Sequence, residues 1–407
     1  MNEATPRRAR RATLGLLGLV LLAGCGEDAV ADPDLGMQPD AGTGDPAYLV
    51  VQRIRTPDSR TVFLSVLPDL AARDLDTASS LEVSGTSRAT AFGGKVFVFD
   101  GESGIVTRYA VSDAGALVEE SPSLSFATFG IVRFRTTFAF VSPTRAYYLD
   151  LVGGQMIVWD PEAMAILESI PVPETQRGEF NVVGGAIVQV GSELVAPISW
   201  DNLVTREIVP SINALVFSAD TGQLLRVDES AACVVAASVF ADGDDGYYLI
   251  GDSASGSFDI FGDEELPPPC AVRGQEGMGL DERTAVDLRA LTGAPHISDA
   301  VGLGGGRFVT QAYDSEVDPD TLTDPFSYFD LEIWRFAVVD LDAETSEILD
   351  ALPLSGIAFD PSIVDGEALL PVVDEGAGQT TLYRLTDAVP VESITATGDI
   401  QRVVRVR

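Results

Sequence analysis

The chain has 407 residues, of which 46% are hydrophobic and 8% aromatic, so it can form a large core and general disorder is excluded. Acidic residues outnumber basic ones by 62 to 26, and the formal net charge of −36 argues against a nucleic-acid partner, because phosphate binding requires Lys and Arg surfaces. A single histidine, His296, excludes metal sites built from several histidines.

The N-terminus has the pattern of a lipoprotein signal peptide. Four arginines precede an apolar run over residues 14–22, which is too short to span a bilayer. The run ends in Leu22-Ala23-Gly24-Cys25, which resembles the bacterial lipobox, in which the cysteine is lipidated. We therefore predict a signal peptide over residues 1–24 and a lipid on Cys25. An ordinary secretory peptide that ends near a cysteine is the alternative.

Residues 25–46 are rich in Asp, Pro and Gly and predict an acidic, solvated tether. No later segment is apolar for long enough to cross a bilayer, so the lipid would be the sole membrane attachment. We expect the outer membrane as the location. The acidic residues directly after Cys25 resemble surface-export signals of some Gram-negative groups, and the cell surface and the periplasmic face both stay open.

One repeat organises the chain from about Tyr48 onward. An apolar strand, a tight turn and a second apolar strand that ends at Asp recur six times in line, over residues 89–100, 138–150, 182–201, 234–252, 297–314 and 359–374. A second hairpin follows the pair, for example over residues 156–172, 214–227 and 333–352. Two hairpins per repeat predict a four-stranded blade, and radial repetition of such blades is a β-propeller.

The seventh copy of the repeat is split between the two ends of the chain. Residues 400–407 supply one strand, and residues 48–55 and 61–67 supply its partners. Pairing these strands would close the ring and remove exposed sheet edges. The sequence thus predicts an all-β, seven-bladed propeller over residues 47–407, closed between its C-terminal and N-terminal strands. Six or eight blades, or an array of β-sandwiches, are the alternatives.

Ligands of propellers usually lie over the central channel, on loops that enter the first strand or leave the second strand of a blade. The repeat alignment places arginine and aromatic residues on these loops: Arg55, Arg88, Arg135, Phe180, Trp200, His296, Tyr313 and Arg402. Guanidinium groups and aromatic rings suit a planar, oxygen-rich or anionic ligand. Solvated loop side chains or packing between blades is the alternative for each of them.

Acidic residues recur at the end of the second strand, at Asp100, Asp150, Asp201, Asp252, Asp314 and Asp374. Such residues cap turns, and this interpretation is favoured over an acidic ring that attracts cations. Carboxylates at alternate positions in residues 314–330 suit calcium, with Asp314, Asp318 and Asp320 as candidate ligands, although their spacing matches no EF-hand.

Two cysteines, Cys233 and Cys270, remain once Cys25 is lipidated. They form either a disulfide, as an oxidising compartment would favour, or two buried free thiols. Catalysis has little support, because His296 has no serine partner in a nucleophile motif and no haem-attachment motif is present. We expect neither an enzyme nor a cofactor. A lactonase with a metal in the central channel is the weaker alternative.

Two stretches resemble a family of bacterial propeller lipoproteins that were long of unknown function. The first runs from Cys270-Ala271-Val272-Arg273 through residues 281–283 to residues 287–293, and the second covers residues 138–150 and 159–162. Members are often encoded near TonB-dependent outer-membrane receptors, and some capture ferric siderophores at the cell surface. The resemblance implies capture of a ferric siderophore and its delivery to such a receptor. The alternative is an envelope protein-interaction scaffold without a small-molecule ligand.

Overall fold

The computed structural model describes residues 45–407 except 203, 206, 234, 244, 252–265, 315, 318–330, 357–360 and 387–388. The signal peptide, Cys25, most of the tether, Asp252, Asp318 and Asp320 therefore lie outside the described residues. The rest forms seven sheets in a ring, and this confirms the predicted seven-bladed β-propeller. Within the described ranges no helix is long and apolar enough to cross a membrane.

The strands of the described residues are numbered in chain order. The first sixteen are β1 (Tyr48–Arg55), β2 (Arg60–Leu67), β3 (Arg73–Asp74), β4 (Leu81–Ser84), β5 (Arg88–Phe92), β6 (Lys95–Phe99), β7 (Ile105–Val111), β8 (Leu117–Ser125), β9 (Phe138–Ser142), β10 (Arg145–Asp150), β11 (Gln155–Asp160), β12 (Ala165–Pro171), β13 (Asn181–Gly184), β14 (Val188–Val190), β15 (Glu193–Asn202) and β16 (Glu207–Ile208).

The remaining strands are β17 (Ile212–Ser218), β18 (Leu224–Ser230), β19 (Ala236–Asp242), β20 (Gly246–Gly251), β21 (Cys270–Gln275), β22 (Gly279–Leu280), β23 (Val286–Asp287), β24 (Ile297–Gly304), β25 (Arg307–Tyr313), β26 (Trp334–Asp340), β27 (Thr345–Ile348), β28 (Ser362–Val364), β29 (Glu367–Asp374), β30 (Gln379–Thr386), β31 (Val389–Thr397) and β32 (Asp399–Arg405). Across the described ranges the helices are one α-helical turn, α1 (Leu288–Thr292), and the 3-10 turns Ala127–Phe129, Pro173–Thr175 and Glu282–Thr284.

Seven strand orders define the blades. From blade 1 to blade 7 they are β32-β1-β2-β4, β5-β6-β7-β8, β9-β10-β11-β12, β13-β15-β17-β18, β19-β20-β21-β22, β24-β25-β26-β27 and β28-β29-β30-β31. The first strands lie nearest the axis, since they contact the first strands of neighbouring blades, as β24 contacts β19 and β28. In blade 4 the predicted first strand is interrupted, so β13 and β14 both pair with β15.

The apolar runs that predicted the strands are long because each blade is buried on both faces. Strand β10 shows this: Tyr147 and Leu149 face the core shared with blade 4, and Tyr148 faces the core shared with blade 2. Alternate residues of one strand thus enter two different inter-blade cores. Outer strands lose this double burial, and β12 accordingly exposes Leu167 and Glu168.

The ring closes where the split repeat predicted. Strand β32 pairs antiparallel with β1, from Tyr48 opposite Arg405 to Arg53 opposite Asp399. The structure also contains a second contact across this junction, which the sequence did not predict. Strand β3 adds in parallel to β31 of blade 7, and the Ser393 hydroxyl donates to the Leu70 carbonyl at 2.6 Å. Residues 70–75, from blade 1, therefore cover the outer edge of blade 7.

Candidate functional site at the mouth of the propeller

The mouth face is the end of the ring at which β5, β9, β24, β28 and β32 begin and β1, β6, β10, β25 and β29 end. The other end carries the first hairpin turns, such as Gly93-Gly94. The first described residues of the propeller lie at that opposite end, because the Val406 amide donates to the Ala47 carbonyl at 2.7 Å. The eight predicted ligand residues all lie at or near the mouth face.

Arginines gather at the mouth face of blade 1. Arg53 is buried, and its Nη2 lies 3.1 Å from Asp399 Oδ2. Arg55 Nε lies 3.2 Å from the same oxygen, so one carboxylate serves two guanidinium groups. The Arg55 side chain is 43% exposed, and no hydrogen bond from the described part of the chain engages its terminal nitrogens. Arg60 lies directly opposite Arg55 in the β1–β2 register. Arg55 therefore keeps donors for a ligand.

The other predicted arginines are more enclosed. Arg402 is buried in β32, opposite Val51, and Arg88 is partly buried at the start of β5. Arg135 Nη1 donates to the Val182 carbonyl at 3.3 Å, a contact from blade 3 to blade 4. These side chains belong to the walls between blades at the mouth face. Each of them is less exposed than Arg55.

In blade 4 the predicted aromatic residues are packing groups. Trp200 is only 4% exposed, and its Nε1 donates to the Thr175 carbonyl at 2.9 Å. Phe180 is partly buried against the same core. The exposed group here is Arg177, whose Cζ lies 5.1 Å above the centre of the Trp200 ring. Sequence reasoning missed Arg177, although it lies three residues before Phe180 in the same entering loop.

In blade 6, His296 and Tyr313 are buried. The Tyr313 ring contacts both His296 and Trp334. The ring centres are 5.9 Å apart in each contact, and both contacts are edge-to-face. Burial, with a smaller contribution from Arg289, lowers the pKa of His296 to about 4. His296 is therefore a neutral, enclosed ring near neutral pH, and packing between strands explains its position better than contact with a ligand.

The lowered pKa of His296 predicts a loss of stability in acid. The unfolded chain takes up this proton near pH 6.5 and the folded chain near pH 4, so falling pH favours the unfolded state between these values. Relative to His296→Gln, the wild type should lose about 1.4 kcal/mol per pH unit across this window. Urea unfolding of both proteins at several pH values measures the difference. A difference that does not change with pH would contradict the assignment.

Three of the recurrent aspartates cap turns, as the sequence favoured. Asp100 Oδ1 accepts from the Glu102 amide at 3.0 Å, Asp150 Oδ1 from the Gly153 amide at 2.9 Å, and Asp374 Oδ1 from the Ala377 amide at 2.7 Å. Asp201 differs, because burial raises its pKa and its Oδ1 has no hydrogen-bond partner among the described residues.

The predicted calcium ligands are only partly described. Asp314 Oδ2 lies 3.0 Å from Arg335 Nη2, so a guanidinium group already supplies its counter-charge. Across the described ranges, no group of three or more His, Cys, Asp or Glu side chains is arranged to hold a metal ion. Because Asp318 and Asp320 lie outside those ranges, the calcium site stays a prediction.

Cys233 and Cys270 form a disulfide, with their Cα atoms 5.5 Å apart. The bond joins the loop that enters β19 to the start of β21 in the same blade. The structure thus contains the disulfide, which was one of the two predictions, and not two free thiols. Both residues lie in the core shared by blades 4 and 5, so the role of the bond is structural.

The fold and the site together define a seven-bladed β-propeller with exposed guanidinium groups at its mouth face. No family model and no curated protein matches the chain. Two solved structures with a similar fold come from Bacteroides fragilis and Bacteroides uniformis, and each is named as a candidate 6-phosphogluconolactonase. The first has a TM-score of 0.55 and 13% identity and covers 90% of this chain and 99% of its own.

The second structure has a TM-score of 0.50 and 12% identity and covers 89% of this chain and 100% of its own. At this level of identity the similarity shows the fold alone. The propeller expected from the resemblance is therefore shown. The lipid anchor, the ligand and the receptor partner remain predictions.

Proposed function

We propose that this protein is a lipid-anchored outer-membrane propeller that captures a ferric siderophore at its mouth face and passes it to a TonB-dependent receptor. Cys25 would carry the lipid, and no catalytic step or cofactor is involved. The observation that supports capture is Arg55, a half-exposed guanidinium whose terminal donors stay available because its Nε alone approaches the shared Asp399. The sequence resemblance to propeller lipoproteins supplies the ligand class.

The binding energy must come from short-range contacts with the ligand, because the chain carries a net charge of −36 and repels anions at a distance. At physiological salt this repulsion is screened beyond about 8–10 Å. Within that distance, guanidinium donors bind the oxygen atoms of an anionic ligand through charge-assisted hydrogen bonds. Arg55, beside Arg60 on the neighbouring strand, is placed for such contacts.

A titration of residues 26–407 with ferric catecholate and ferric hydroxamate siderophores tests capture. Intrinsic fluorescence follows binding, since the chain contains three tryptophans. We expect saturable binding at micromolar concentration or below. Arg55→Ala should weaken it by about 10-fold or more, because a hydrogen bond to a charged group contributes about 1.5–3 kcal/mol.

Arg307→Ala is the matched control, because Arg307 begins β25 at the opposite end of the ring and is similarly exposed, at 49%. It should leave the affinity unchanged. An absence of response to any siderophore well above micromolar concentration would overturn capture.

In that case the interaction scaffold becomes the leading function. Its support is the outer strand of blade 4, β18, on which two apolar side chains, Leu225 and Val227, are exposed. Outer strands with exposed apolar side chains are surfaces on which another protein can pack. A pull-down from envelope extract, compared between the wild type and Leu225→Lys, tests this alternative. Loss of the same partner in the variant is the supporting result.

A further inference from the structure

The loop that enters blade 4 holds Arg177 in a fixed place on the mouth face. On one side, Gln176 Nε2 donates to the carbonyls of Leu151 and Val152 at 3.0 and 3.2 Å. On the other side, the Phe180 amide donates to the Arg177 carbonyl at 3.2 Å. The Gln176 side chain thus ties the loop to blade 3, and the bond from Phe180 closes a turn at Arg177, which lowers the entropy cost of using the Arg177 side chain.

The guanidinium of Arg177 lies over an aromatic ring, and no described residue uses its donors. Its Cζ lies 5.1 Å above the Trp200 ring, and that ring is held in place because its Nε1 donates to the Thr175 carbonyl. Stacking uses one π face of the guanidinium, whereas the N–H donors lie in its plane and point outward. Within the described ranges, no ion pair or hydrogen bond engages these donors.

Arg226 shows the contrast on the other end of the same blade. Its three nitrogen atoms are occupied by the carboxylates of Glu193 and Asp228. A guanidinium whose donors are saturated in this way fixes the protein's own charges. Arg177 lacks such carboxylate partners in the described part of the chain, so its in-plane edge and its outer face are open to a ligand.

One exposed apolar side chain, Val152, lies on the neighbouring blade where Gln176 contacts it. Val152 is 66% exposed, and its carbonyl is the group that accepts from Gln176, the residue before Arg177. A Cβ atom built on Gly178, the residue after it, would meet no atom within 4 Å, so the space beside the loop is open. A cation on an aromatic support beside an apolar side chain fits a flat apolar ring that carries negative oxygen atoms.

We propose that Arg177 and Trp200 form a platform that binds an aryl oxyanion, such as a catecholate or an aryl carboxylate. The ring would stack on the outer face of the guanidinium, whose positive charge would attract its negative oxygen atoms. In relation to the proposed function, this platform selects ferric catecholates over ferric hydroxamates. That consequence rests on siderophore capture, whereas the platform itself is tested without iron.

Two exposed carboxylates, Glu174 and Glu179, lie on the same loop and allow a further test of anion binding. Neither forms an ion pair with Arg177 among the described contacts, so both act on an anionic ligand only as nearby negative charges. Glu179→Gln removes one of these charges without changing the shape of the side chain. It should therefore strengthen the binding of an anion at the platform.

Benzoate and cyclohexanecarboxylate are the probes, because they have the same charge and similar size and only one has a π system. Calorimetric titration of residues 26–407 should show benzoate binding about 2-fold to 30-fold more tightly. Arg177→Lys keeps the charge but loses the planar group, so the ratio should fall toward one. Arg177→Ala should weaken both probes. Glu179→Gln should strengthen both.

Equal affinity for the two probes, or a ratio that Arg177→Lys leaves unchanged, overturns the platform. Failure to bind benzoate in the tens of millimolar also overturns it. A ferric siderophore titration keeps the two proposals separate. If siderophores do not bind but the benzoate preference disappears in Arg177→Lys, capture fails and the platform stands. If siderophores bind but the two probes are equal, the platform fails and capture stands.

Discussion

Replacing Arg226 by methionine should lower the free energy of unfolding by about 3–5 kcal/mol, because it leaves a buried carboxylate without its counter-charge. Arg226 Nη1 and Nη2 lie 2.5 and 2.7 Å from the two carboxylate oxygens of Glu193, which is 4% exposed. Its Nε also donates to Asp228 Oδ1 at 3.0 Å. Methionine fills a similar volume but satisfies none of these acceptors.

The loss should be large because this network also connects blade 4 to blade 5. The Tyr247 hydroxyl of blade 5 donates to Asp228 Oδ2 at 2.7 Å, and the Gly277 amide donates to Glu193 Oε1 at 3.2 Å. Burial and the nearby Asp228 raise the pKa of Tyr247, which therefore stays a donor. Removing Arg226 thus disturbs groups on both sides of a blade interface.

Two further variants show whether the buried charge is the cause. Arg283→Ala breaks an ion pair with Asp281 in which the Arg283 side chain is 89% exposed, and it should cause no measurable change. Adding Glu193→Leu to Arg226→Met removes one of the two orphaned carboxylates and should recover part of the lost stability, because Asp228 keeps only the Tyr247 hydroxyl as its donor among the described residues. Urea unfolding measures all three. A loss of less than about 1 kcal/mol in the single variant would contradict the argument.

The sequence predicted the fold well because both faces of the inner strands are buried. Double burial gives long apolar runs such as Tyr147-Tyr148-Leu149, and tight turns with Gly or Asp separate them. Ring closure was predictable for the same reason, since the split repeat left apolar strands without partners at both ends. The contact between β3 and β31 was not predictable, because Arg73 and Asp74 carry no apolar signal.

The mouth face was predicted less completely. Repeat alignment places a residue on a loop, but the direction of its side chain depends on packing against the neighbouring blade. Trp200 and Tyr313 were placed at the correct end of their strands, but Trp200 turns into the core shared by blades 3 and 4, and Tyr313 packs between His296 and Trp334. Arg177 was missed because the repeat alignment took Phe180 as the candidate from the same loop. Its exposure follows from Trp200, which occupies the space beneath it.

Deleting residues 399–407 should abolish cooperative unfolding, which is the largest effect we expect. The deletion removes β32, the first strand of blade 1, and leaves β1 as an unpaired edge. Val404 and Val406 leave the core shared with blade 2, and Ile400 and Val403 leave the core shared with blade 7. Buried Arg53 also loses Asp399. Calorimetry should show no sharp thermal transition, and light scattering should show aggregation.

A circular permutant is the control, because it keeps every residue of the propeller and changes only where the ring is cut. The Ala47 amide lies 3.3 Å from the Arg407 carbonyl, so a short linker from residue 407 to residue 47 would turn β32 and β1 into an ordinary first hairpin. New termini at the exposed Gly93-Gly94 turn would cut the matching hairpin of blade 2. Because β5 would then pair with β6 as β32 now pairs with β1, the permutant should unfold cooperatively. Cooperative unfolding of the truncated chain would instead show that six complete blades hold the ring without the closing strand.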